Sequence, residues 1–559
     1  MINYQGKFFN PFEFTKSFFD YLQDASQRSI LLVDVLRERG DNYLEHRKKG
    51  KPPVLDFECQ VIKDGRSCEH PVNFDLVKVI RSKNNNQGSN LTSSVNLMHH
   101  WNRRPIVIVD PRAGHGPGIG GMKRESEVGE AIKMGHPVYF IIFHPEPIPG
   151  QTLSDVEKAQ IEFLKEVIKR HPDLKKPAVI GNCQAGWATA MLIADRPDLA
   201  SIGIFNGAPL SYWAGVSGQN PMRYKGGLLG GSWLASLISD LGNGIFDGAH
   251  LVDGFENLNL AHTLFRKPYN VYTKIDSETR RYLTFEKWWS GFYFMTKEEI
   301  SQIVQCLFVG NELEQGKFIL HKGEEPIDLK RIKKAVVFAS KGDNITPPQQ
   351  ALNWILAVYR DVDHIVELGN TIIYCVHKTI GHLGIFTAQK VAEKEHRVII
   401  GALRKIDNLP AGLYELVITD DLEFTFEKRV FSDIREYGDA RDDQAAFEKM
   451  KAKSERNQKY YDLYVSPFVK ASTNSFIGES IKRSHPLRVA RYAFSRLNPA
   501  SPAIERMAEQ VRENRNMVDE KNDFRKLEFY FSSIFEEFLK LFGNVRDAGQ
   551  ELAFGLLHG

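Results

Sequence analysis

The sequence predicts an α/β protein built on a mostly parallel sheet. From residue 105 onward, short β-branched runs alternate with helical segments, which is typical of a parallel sheet covered by helices on both faces. The runs are PIVIVD (105–110), PVYFIIF (137–143), PAVIG (177–181), SIGIFN (201–206), KAVVFAS (334–340) and TIIYCV (371–376). Helix candidates lie between the first four runs, at residues 126–135, 154–170 and 187–197.

Length and composition agree with this class. The chain has 559 residues, of which 42% are hydrophobic and 26% charged, as in an average globular protein with more than one structural unit. The net charge of +3 is too small to indicate a nucleic-acid partner. No apolar run approaches the roughly 18 residues of a membrane span, and the start MINYQGKFFNPFEF lacks the layout of a signal peptide. A cytoplasmic protein is the expectation.

The five cysteines predict neither a disulfide framework nor a metal site. They contain no Cys-x-x-Cys pair. Cys59 and Cys68 flank the turn signal Asp64-Gly65 and His70 follows, but this segment supplies at most three ligands, and a structural zinc site needs four. We expect two thiols on neighbouring strands of a hairpin.

Five segments follow from the pattern along the chain. Residues 1–100 are predicted as a helical and hairpin region, with a helix that ends at Gly40 and a linker at 82–90. Residues 101–210 and 331–400 form the two halves of the α/β core. Between them, the apolar and aromatic stretch 211–330 is too long for a loop and predicts an inserted cap, although its glycine-rich part, 226–248, leaves a membrane-touching element as an alternative. Residues 401–559 are predicted as a mostly helical extension.

Two patterns in the C-terminal extension predict which helix faces are in contact and which are solvated. Leu527, Phe531, Ile534, Phe538 and Leu541 share one helix face, which should pack on the body or on a partner subunit. A basic stretch predicts a solvated helix face, with phosphate contact as the alternative. Its residues are Lys482, Arg483, Arg488, Arg491 and Arg496.

The most informative residues are Gly181-Asn182-Cys183-Gln184-Ala185-Gly186, between a predicted strand and a predicted helix. A nucleophile elbow needs that location, because its sharp turn exposes the nucleophile in a strained conformation and small neighbours avoid collision. The alternative is that Cys183 is a small buried hydrophobe.

A cysteine nucleophile needs a base, and the base needs an orienting acid. In a sheet of this kind they follow later strands in the order nucleophile, acid, histidine. Asp343 comes directly after KAVVFAS, and His382 comes after TIIYCV. Taken singly, Asp343 could be a turn residue and His382 is one of 17 histidines, but their order predicts a triad of Cys183, Asp343 and His382.

These motifs resemble those of the poly(3-hydroxyalkanoate) synthase-like branch of the α/β-hydrolase fold, and within it a bacterial family of undefined function labelled polyhydroxyalkanoate synthetase-like. The family's lipase-like box with cysteine is matched by Gly181-x-Cys183-x-Ala185-Gly186, its Asp-x-x-x-Pro element by Asp343 and Pro347, and its Gly-His pair by Gly381 and His382. The resemblance covers roughly residues 100–400. It implies an α/β-hydrolase fold with an inserted cap, and granule association beside the cytoplasmic location.

The expected activity is acyl transfer from a (hydroxy)acyl-CoA or another thioester or ester substrate through an acyl-enzyme on Cys183. The oxyanion would be held by the backbone N–H of Gln184 and by that of Arg112 or Ala113, and His115 is a candidate helper. No cofactor, metal or nucleic acid is expected, and a homo-oligomer is left open. The alternatives are a thioesterase or esterase on the same triad, and a non-catalytic granule- or complex-binding protein.

The glycine-rich run 114–121 also invites a phosphate-loop interpretation. It lacks the G-x-x-x-x-G-K-[S/T] order, because Lys123 is followed by Arg124. A nucleotide hydrolase is therefore not expected, and the run is unlike what we expect of true polymer synthases.

Overall fold

The protein is described by a computed structural model that covers residues 11–82, 103–438 and 443–559. It consists of two compact units. The larger unit comprises Pro52–Leu251, Phe292–Ile481 and Gly549–Gly559, and the smaller comprises Met1–Lys51, Val252–Gly291 and Lys482–Ala548. The predicted cap, 211–330, is thus divided between the two units. Part of the predicted linker, 83–90, and the predicted boundary at 100/101 lie outside the described residues.

The larger unit contains the predicted sheet. All six predicted runs form strands, and the α/β class is confirmed. Within the described residues the strands are β1 (Phe57–Asp64), β2 (Phe74–Ser82), β3 (Ile106–Val109), β4 (Val138–Phe143), β5 (Ala178–Asn182), β6 (Ile202–Asn206), β7 (Ile245–Asp247), β8 (Phe294–Thr296), β9 (Lys334–Ser340), β10 (Thr371–His377), β11 (Gly412–Ile418) and β12 (Phe424–Lys428).

Ten of the strands described above join one sheet in the order β1-β2-β4-β3-β5-β6-β9-β10-β11-β12, and β7 pairs with β8. The seven central strands, β4-β3-β5-β6-β9-β10-β11, are parallel to one another, whereas the pairs β1–β2, β2–β4 and β11–β12 are antiparallel. Parallel strands buried on both faces need helices on each side, which accounts for the continuous apolar runs in the sequence.

The α-helices of the described residues are α1 (Pro11–Lys48), α2 (Glu127–Lys133), α3 (Leu153–Arg170), α4 (Ala185–Asp195), α5 (Lys225–Leu228), α6 (Trp233–Leu241), α7 (Ala249–Glu256), α8 (Lys267–Thr273), α9 (Ile275–Trp289), α10 (Lys297–Gln302), α11 (Pro348–Val358), α12 (Val362–Glu367), α13 (His382–Thr387), α14 (Gln389–Val391), α15 (Arg397–Asp407), α16 (Phe431–Arg435), α17 (Gln444–Tyr460), α18 (Ser466–Ser472), α19 (Ser475–Ser484), α20 (Pro486–Ala493), α21 (Ser501–Glu513) and α22 (Asp523–His558). The three helices predicted between the first four core strands are α2, α3 and α4.

The predicted hairpin is formed by β1 and β2, and it joins the edge of the main sheet. One detail of the prediction was wrong: Cys59 lies in β1, but Cys68 lies in the connection, directly after the short turn Gly65–Ser67. Asp64 holds that turn, since its side chain accepts a hydrogen bond from the backbone N–H of Arg66 at 2.9 Å. The exposed Cys59 and the buried Cys68 are therefore not a pair of facing strand residues.

In the smaller unit, the prediction that the first helix ends at Gly40 was wrong. The helix α1 continues to Lys48. A Cβ at Gly40 would lie only 1.9 Å from the carbonyl oxygen of Phe494, so this glycine permits the end of α20 to approach the backbone of α1. The glycine has a packing role, and nearby side chains such as Leu31 and Val35 build an apolar cluster with Val271.

The prediction of a solvated helix face for the basic stretch was also partly wrong, because two of its arginines are buried. Arg491 is 3% exposed and donates to Glu286 at 3.1 Å. Glu286, in α9, is 1% exposed and also faces Lys267 and Arg39. Burial favours the neutral acid, but these three cations lower the pKa of Glu286 to about 2.

The predicted apolar face of α22 is largely exposed in the structure. Each of its five predicted contact residues is about half exposed or more: Leu527, Phe531, Ile534, Phe538 and Leu541. Within the described ranges, no helix combines the length and apolar character that crossing a membrane requires.

We predict that Glu286→Gln strongly destabilises the protein. The substitution leaves Lys267, Arg39 and Arg491 without their shared carboxylate, and breaking a buried ion pair on one side costs about 3–5 kcal/mol. Since the pKa of Glu286 is lowered in the folded state, its contribution is present above the unfolded value and is lost as the pH falls toward about 2. Urea unfolding at several pH values measures the difference.

The control for this experiment is Glu278→Gln on the same helix. Glu278 pairs with Arg281 at 2.7 Å, and that arginine is 67% exposed, so its loss should change the free energy of unfolding by about 0.5 kcal/mol or less. Equal effects of the two substitutions would contradict the assignment of Glu286 as the centre of a buried ion cluster.

Candidate active site

Cys183 lies in the turn that joins β5 to α4. Its backbone φ is +51°, a left-handed conformation that residues other than glycine rarely adopt. Two backbone hydrogen bonds hold the turn: Cys183 N–H donates to the Asn206 carbonyl at 2.9 Å, and Gly186 N–H donates to the Cys183 carbonyl at 2.9 Å. Strain of this kind persists only where the surroundings enforce it, and it is common at functional sites.

The small residues beside Cys183 are sterically required. A Cβ at Gly186 would lie 2.0 Å from the Cβ of Ala208, and a Cβ at Gly181 would lie 2.6 Å from the Ala185 carbonyl oxygen. The turn can therefore be this tight only with glycine at both positions. This is the physical reason why the spacing of the motif was informative in the sequence.

The structure brings the predicted Cys183, His382 and Asp343 side chains together. His382 Nε2 lies 3.1 Å from Cys183 Sγ, and His382 Nδ1 lies 2.7 Å from Asp343 Oδ2. The other carboxylate oxygen of Asp343 accepts the backbone N–H groups of Ile345 and Thr346, at 2.9 and 2.8 Å. All three side chains are buried, and Cys183 is 4% exposed.

The electrostatics of this group favour a proton on His382. Burial alone would lower the pKa of the imidazole, but the carboxylate of Asp343 and the sulfur of Cys183 raise it to about 10. An acid on one ring nitrogen and a thiol on the other is the arrangement that stabilises an imidazolium beside a thiolate.

His115, the predicted helper, is buried nearby. Burial lowers the pKa of His115 to about 4, and the positive charge of His382 acts in the same direction. His115 Nδ1 lies 2.9 Å from the Gly116 carbonyl oxygen, which can only accept, so the neutral ring carries its proton on Nδ1. Its assisting role stays a prediction.

The predicted oxyanion donors are backbone groups at the same edge of the sheet. Gln184 stands directly before α4, where the first N–H groups of a helix have no acceptor within it. Arg112 and Ala113 follow β3, and the Arg112 guanidinium is bound elsewhere, to Glu299 and to the Phe294 carbonyl oxygen at 3.1 Å. Only the backbone of Arg112 is thus a candidate, and the three donor roles stay predictions.

The glycine-rich run packs as a structural loop. Gly118 N–H donates to the buried carboxylate of Asp110. Gly120 has φ +84°, and a Cβ there would lie 2.7 Å from the carboxylate of Glu127. Lys123 donates to the Thr387 carbonyl at 3.0 Å. These contacts tie the loop to the protein itself.

A buried polar network next to the nucleophile was missed by sequence reasoning. Glu127, in α2, accepts hydrogen bonds from Asn182 at 2.8 Å and from Asn206 at 2.7 Å. Asn182 directly precedes Cys183, and the Asn206 carbonyl accepts the Cys183 N–H, so the network fixes the ends of β5 and β6. The feature of the sequence that could have indicated this network is the pair of asparagines that end two neighbouring strands.

Tyr212 is a second residue that the sequence did not single out. Its hydroxyl is buried and forms no hydrogen bond with any described residue. Burial and the nearby Cys183 raise the pKa of this phenol well above its usual value, so the hydroxyl is a neutral donor at neutral pH. A buried donor near the thiol is available to a bound substrate.

Comparisons with known proteins identify the family. The profile described as "Protein of unknown function (DUF3141)" matches residues 24–559, so the chain belongs to that family. It is 46% identical over 527 residues to "Uncharacterized protein in ackA 5'region" from Rhizobium meliloti, covering 91% of this chain and 70% of that protein.

Solved structures of low identity were also matched. A thermostable carboxyl esterase from Bacillus coagulans is 14% identical, with a TM-score of 0.35 and coverage of 63% of this chain and 99% of its own. Naproxen esterase (carboxylesterase NP) from Bacillus subtilis is 11% identical, with a TM-score of 0.33 and coverage of 64% and 97%. These scores are too low to support a conclusion about activity. The fold is defined by the strand order of the sheet.

We predict that His382→Ala slows alkylation of Cys183 by iodoacetamide at pH 7 by about tenfold or more. The thiolate is the reactive form of cysteine, and the substitution removes the imidazole that lies 3.1 Å from the Cys183 sulfur and takes its proton. Peptide mass spectrometry at timed intervals measures the rate at each cysteine.

Cys59 supplies an internal control for this measurement. It is the exposed cysteine and lies in β1, so its labelling rate should not respond to His382→Ala. An unchanged rate at Cys183 would show that the imidazole does not activate the thiol.

Proposed function

We propose that this member of the DUF3141 family is an enzyme that moves acyl groups through a covalent bond to Cys183. The observation that carries the proposal is the distance of 3.1 Å from His382 Nε2 to Cys183 Sγ, together with the 2.7 Å contact of His382 Nδ1 with Asp343. A nucleophile, a base and an orienting acid in that order are the parts that covalent acyl transfer requires.

Before the first step the proton shared by Cys183 and His382 lies on His382 Nε2, and in that step the thiolate attacks the acyl carbonyl. Asp343 keeps the other ring nitrogen protonated and stabilises the imidazolium. The oxyanion would be held by the N–H of Gln184 and by that of Arg112 or Ala113. Losing such a donor typically raises the barrier by about 3–4 kcal/mol.

The tetrahedral intermediate then collapses. The bond from carbon to the leaving sulfur or oxygen breaks, the leaving group takes the proton from His382, and the acyl group remains on Cys183 as a thioester. In the second step His382 removes a proton from the acceptor hydroxyl, which attacks the acyl-enzyme and releases Cys183 as thiolate. Water as acceptor gives hydrolysis, and an alcohol gives transfer.

Thioesters of the (hydroxy)acyl-CoA type are the proposed substrates, as in the polyhydroxyalkanoate synthase-like proteins that the motifs resemble. Exchange between two sulfurs needs no strongly basic leaving group, which suits a thiol nucleophile. The burial of Cys183, His382 and Asp343 supports transfer over hydrolysis, because a buried acyl-enzyme is shielded from water. A thioesterase or esterase on the same residues is the alternative.

A non-catalytic interaction protein is the second candidate, and the exposed apolar face of α22 is the observation that favours it. Contiguous apolar side chains of this kind mark contact surfaces for proteins or for an apolar particle. The two candidates predict different phenotypes for loss of the thiol.

We predict that incubation with 3-hydroxybutyryl-CoA releases free CoA and adds the acyl mass to Cys183. Intact-protein and peptide mass spectrometry detect the adduct, and a thiol reagent measures CoA. Oligomer or transferred ester among the products indicates a transferase, and free acid indicates a hydrolase. Absence of both CoA release and adduct with acyl-CoA substrates of several chain lengths would contradict the proposal.

Two substitutions at Cys183 separate chemistry from folding. Cys183→Ala should abolish turnover and leave thermal unfolding nearly unchanged, because alanine fits a site that is shaped for a small residue. Cys183→Ser should retain little activity, since a hydroxyl is a far weaker nucleophile beside the same imidazole. Apolar-surface binding that survives in Cys183→Ala, as the only cellular phenotype, would favour the interaction protein.

We predict that Asp343→Asn lowers kcat by roughly a thousandfold or more without loss of fold. The amide is of similar size, but it no longer enforces the productive imidazole tautomer or stabilises its charge. Steady-state kinetics with the substrate found above measure the effect, and circular dichroism checks the fold. A decrease of less than about tenfold would remove Asp343 from its assigned role.

A further inference from the structure

A group of metal-ligating side chains lies in the larger unit, away from Cys183. Glu157 in α3, Asp195 at the end of α4 and His321 in the segment after Ile303–Val309 each offer one ligand atom, and these atoms lie within 4.8 Å of one another. Helix α4 begins after the nucleophile turn and ends at Asp195, and its 11 residues separate the two sites by roughly 16 Å.

The second observation is the state of Glu157. This residue is 5% exposed, and neither of its carboxylate oxygens accepts a hydrogen bond from any described residue. Its contact within the group is with His321, whose Nε2 lies 3.3 Å from Glu157 Oε2. A buried carboxylate without hydrogen bonds is costly, and a bound cation is one of the few partners that can compensate for it.

A contact at its second ring nitrogen fixes the orientation of His321. Ser154, three residues before Glu157 in α3, lies with its Oγ 2.7 Å from His321 Nδ1. Metal-binding histidines commonly form such a bond through the second nitrogen, which fixes the ring and directs the other lone pair toward the ion. Here that other nitrogen, Nε2, is the atom that faces Glu157.

The distance between two of the ligand atoms fits a small divalent ion, and all the ligand atoms lie within 4.8 Å of one another. Two ligands of a tetrahedral zinc ion, with bonds of about 2.0–2.1 Å, lie about 3.3–3.5 Å from each other. The 3.3 Å from His321 Nε2 to Glu157 Oε2 matches that edge without movement. Asp195 is half-buried and ends α4, so its side chain can close the remaining gap.

The charges around the group also favour a cation. Asp195 lies at the carboxyl end of α4, where the helix dipole is negative and a carboxylate is disfavoured. Asp195 and Glu324 add negative charge around Glu157, while Arg196 and Lys158 oppose it. Arg196 is bound by Asp198 through two hydrogen bonds of 2.8 and 2.6 Å, so its guanidinium is committed elsewhere.

We propose that Glu157, Asp195 and His321 bind one divalent transition-metal ion, with zinc the best-fitting probe and water in the fourth position. One imidazole and two carboxylates form the mixed nitrogen and oxygen set that zinc accepts, whereas calcium and magnesium prefer oxygen alone. The ion would fasten the segment around His321 to helices α3 and α4. With three protein ligands, the site has the open arrangement of zinc and not the closed four-ligand one, and it is remote from Cys183.

The test is zinc binding to the full-length protein in a Cys183→Ala background, where the active-site thiol cannot bind metal. We expect one zinc per chain by isothermal titration calorimetry, confirmed by metal analysis after gel filtration, and a higher midpoint of thermal unfolding with zinc. His321→Ala and Glu157→Gln should each weaken binding at least tenfold. The glutamine variant keeps the shape of the side chain, so it tests the proposal even if the alanine variant misfolds.

His70→Ala is the matched control. His70 Nδ1 pairs with Asp155 on the same helix at 3.3 Å, but it has no second carboxylate in a comparable group within the described residues. Its loss should leave zinc affinity unchanged. Absence of saturable binding at a ratio of one would overturn the proposal, as would equal affinity in the parent, His321→Ala and Glu157→Gln. Glu157 and His321 would then form a buried ion pair only.

Discussion

The chemistry proposed for this protein depends on one imidazole that contacts a thiol and a carboxylate at the same time. The His382 ring spans Cys183, 199 positions earlier, and Asp343, 39 positions earlier. Such distant residues meet because parallel strands end at one edge of the sheet, and β5, β6, β9 and β10 are consecutive there.

The nucleophile turn shows how the sheet enforces this meeting. Cys183 keeps a left-handed backbone because its N–H is held by Asn206 of the neighbouring strand and because Gly186 permits the close approach of Ala208. Glu127 then joins the asparagine side chains of both strands. The strained backbone at Cys183 is thus stabilised by hydrogen bonds between the neighbouring strand ends.

The features predictable from the sequence were those that depend on local pattern. Alternating apolar runs predicted the six core strands, and the spacing of small residues around Cys183 predicted a strained turn. In contrast, Glu127, Glu286 and Arg491 could not be identified as buried, because charged residues lie at the surface by default and their partners are distant in sequence. The role of Gly40 could not be predicted for a similar reason, because glycine is used both where a helix ends and where two helices approach closely.

The same reasoning explains why a metal-ligating group without a spacing motif is hard to find in a sequence. Glu157, Asp195 and His321 come from three elements that only the folded sheet brings together, just as the residues around Cys183 do. Helix α4 connects the two places, since one end follows the nucleophile turn and the other carries Asp195. A cation at Asp195 would therefore stabilise the helix whose first turn supplies the proposed oxyanion donor, Gln184.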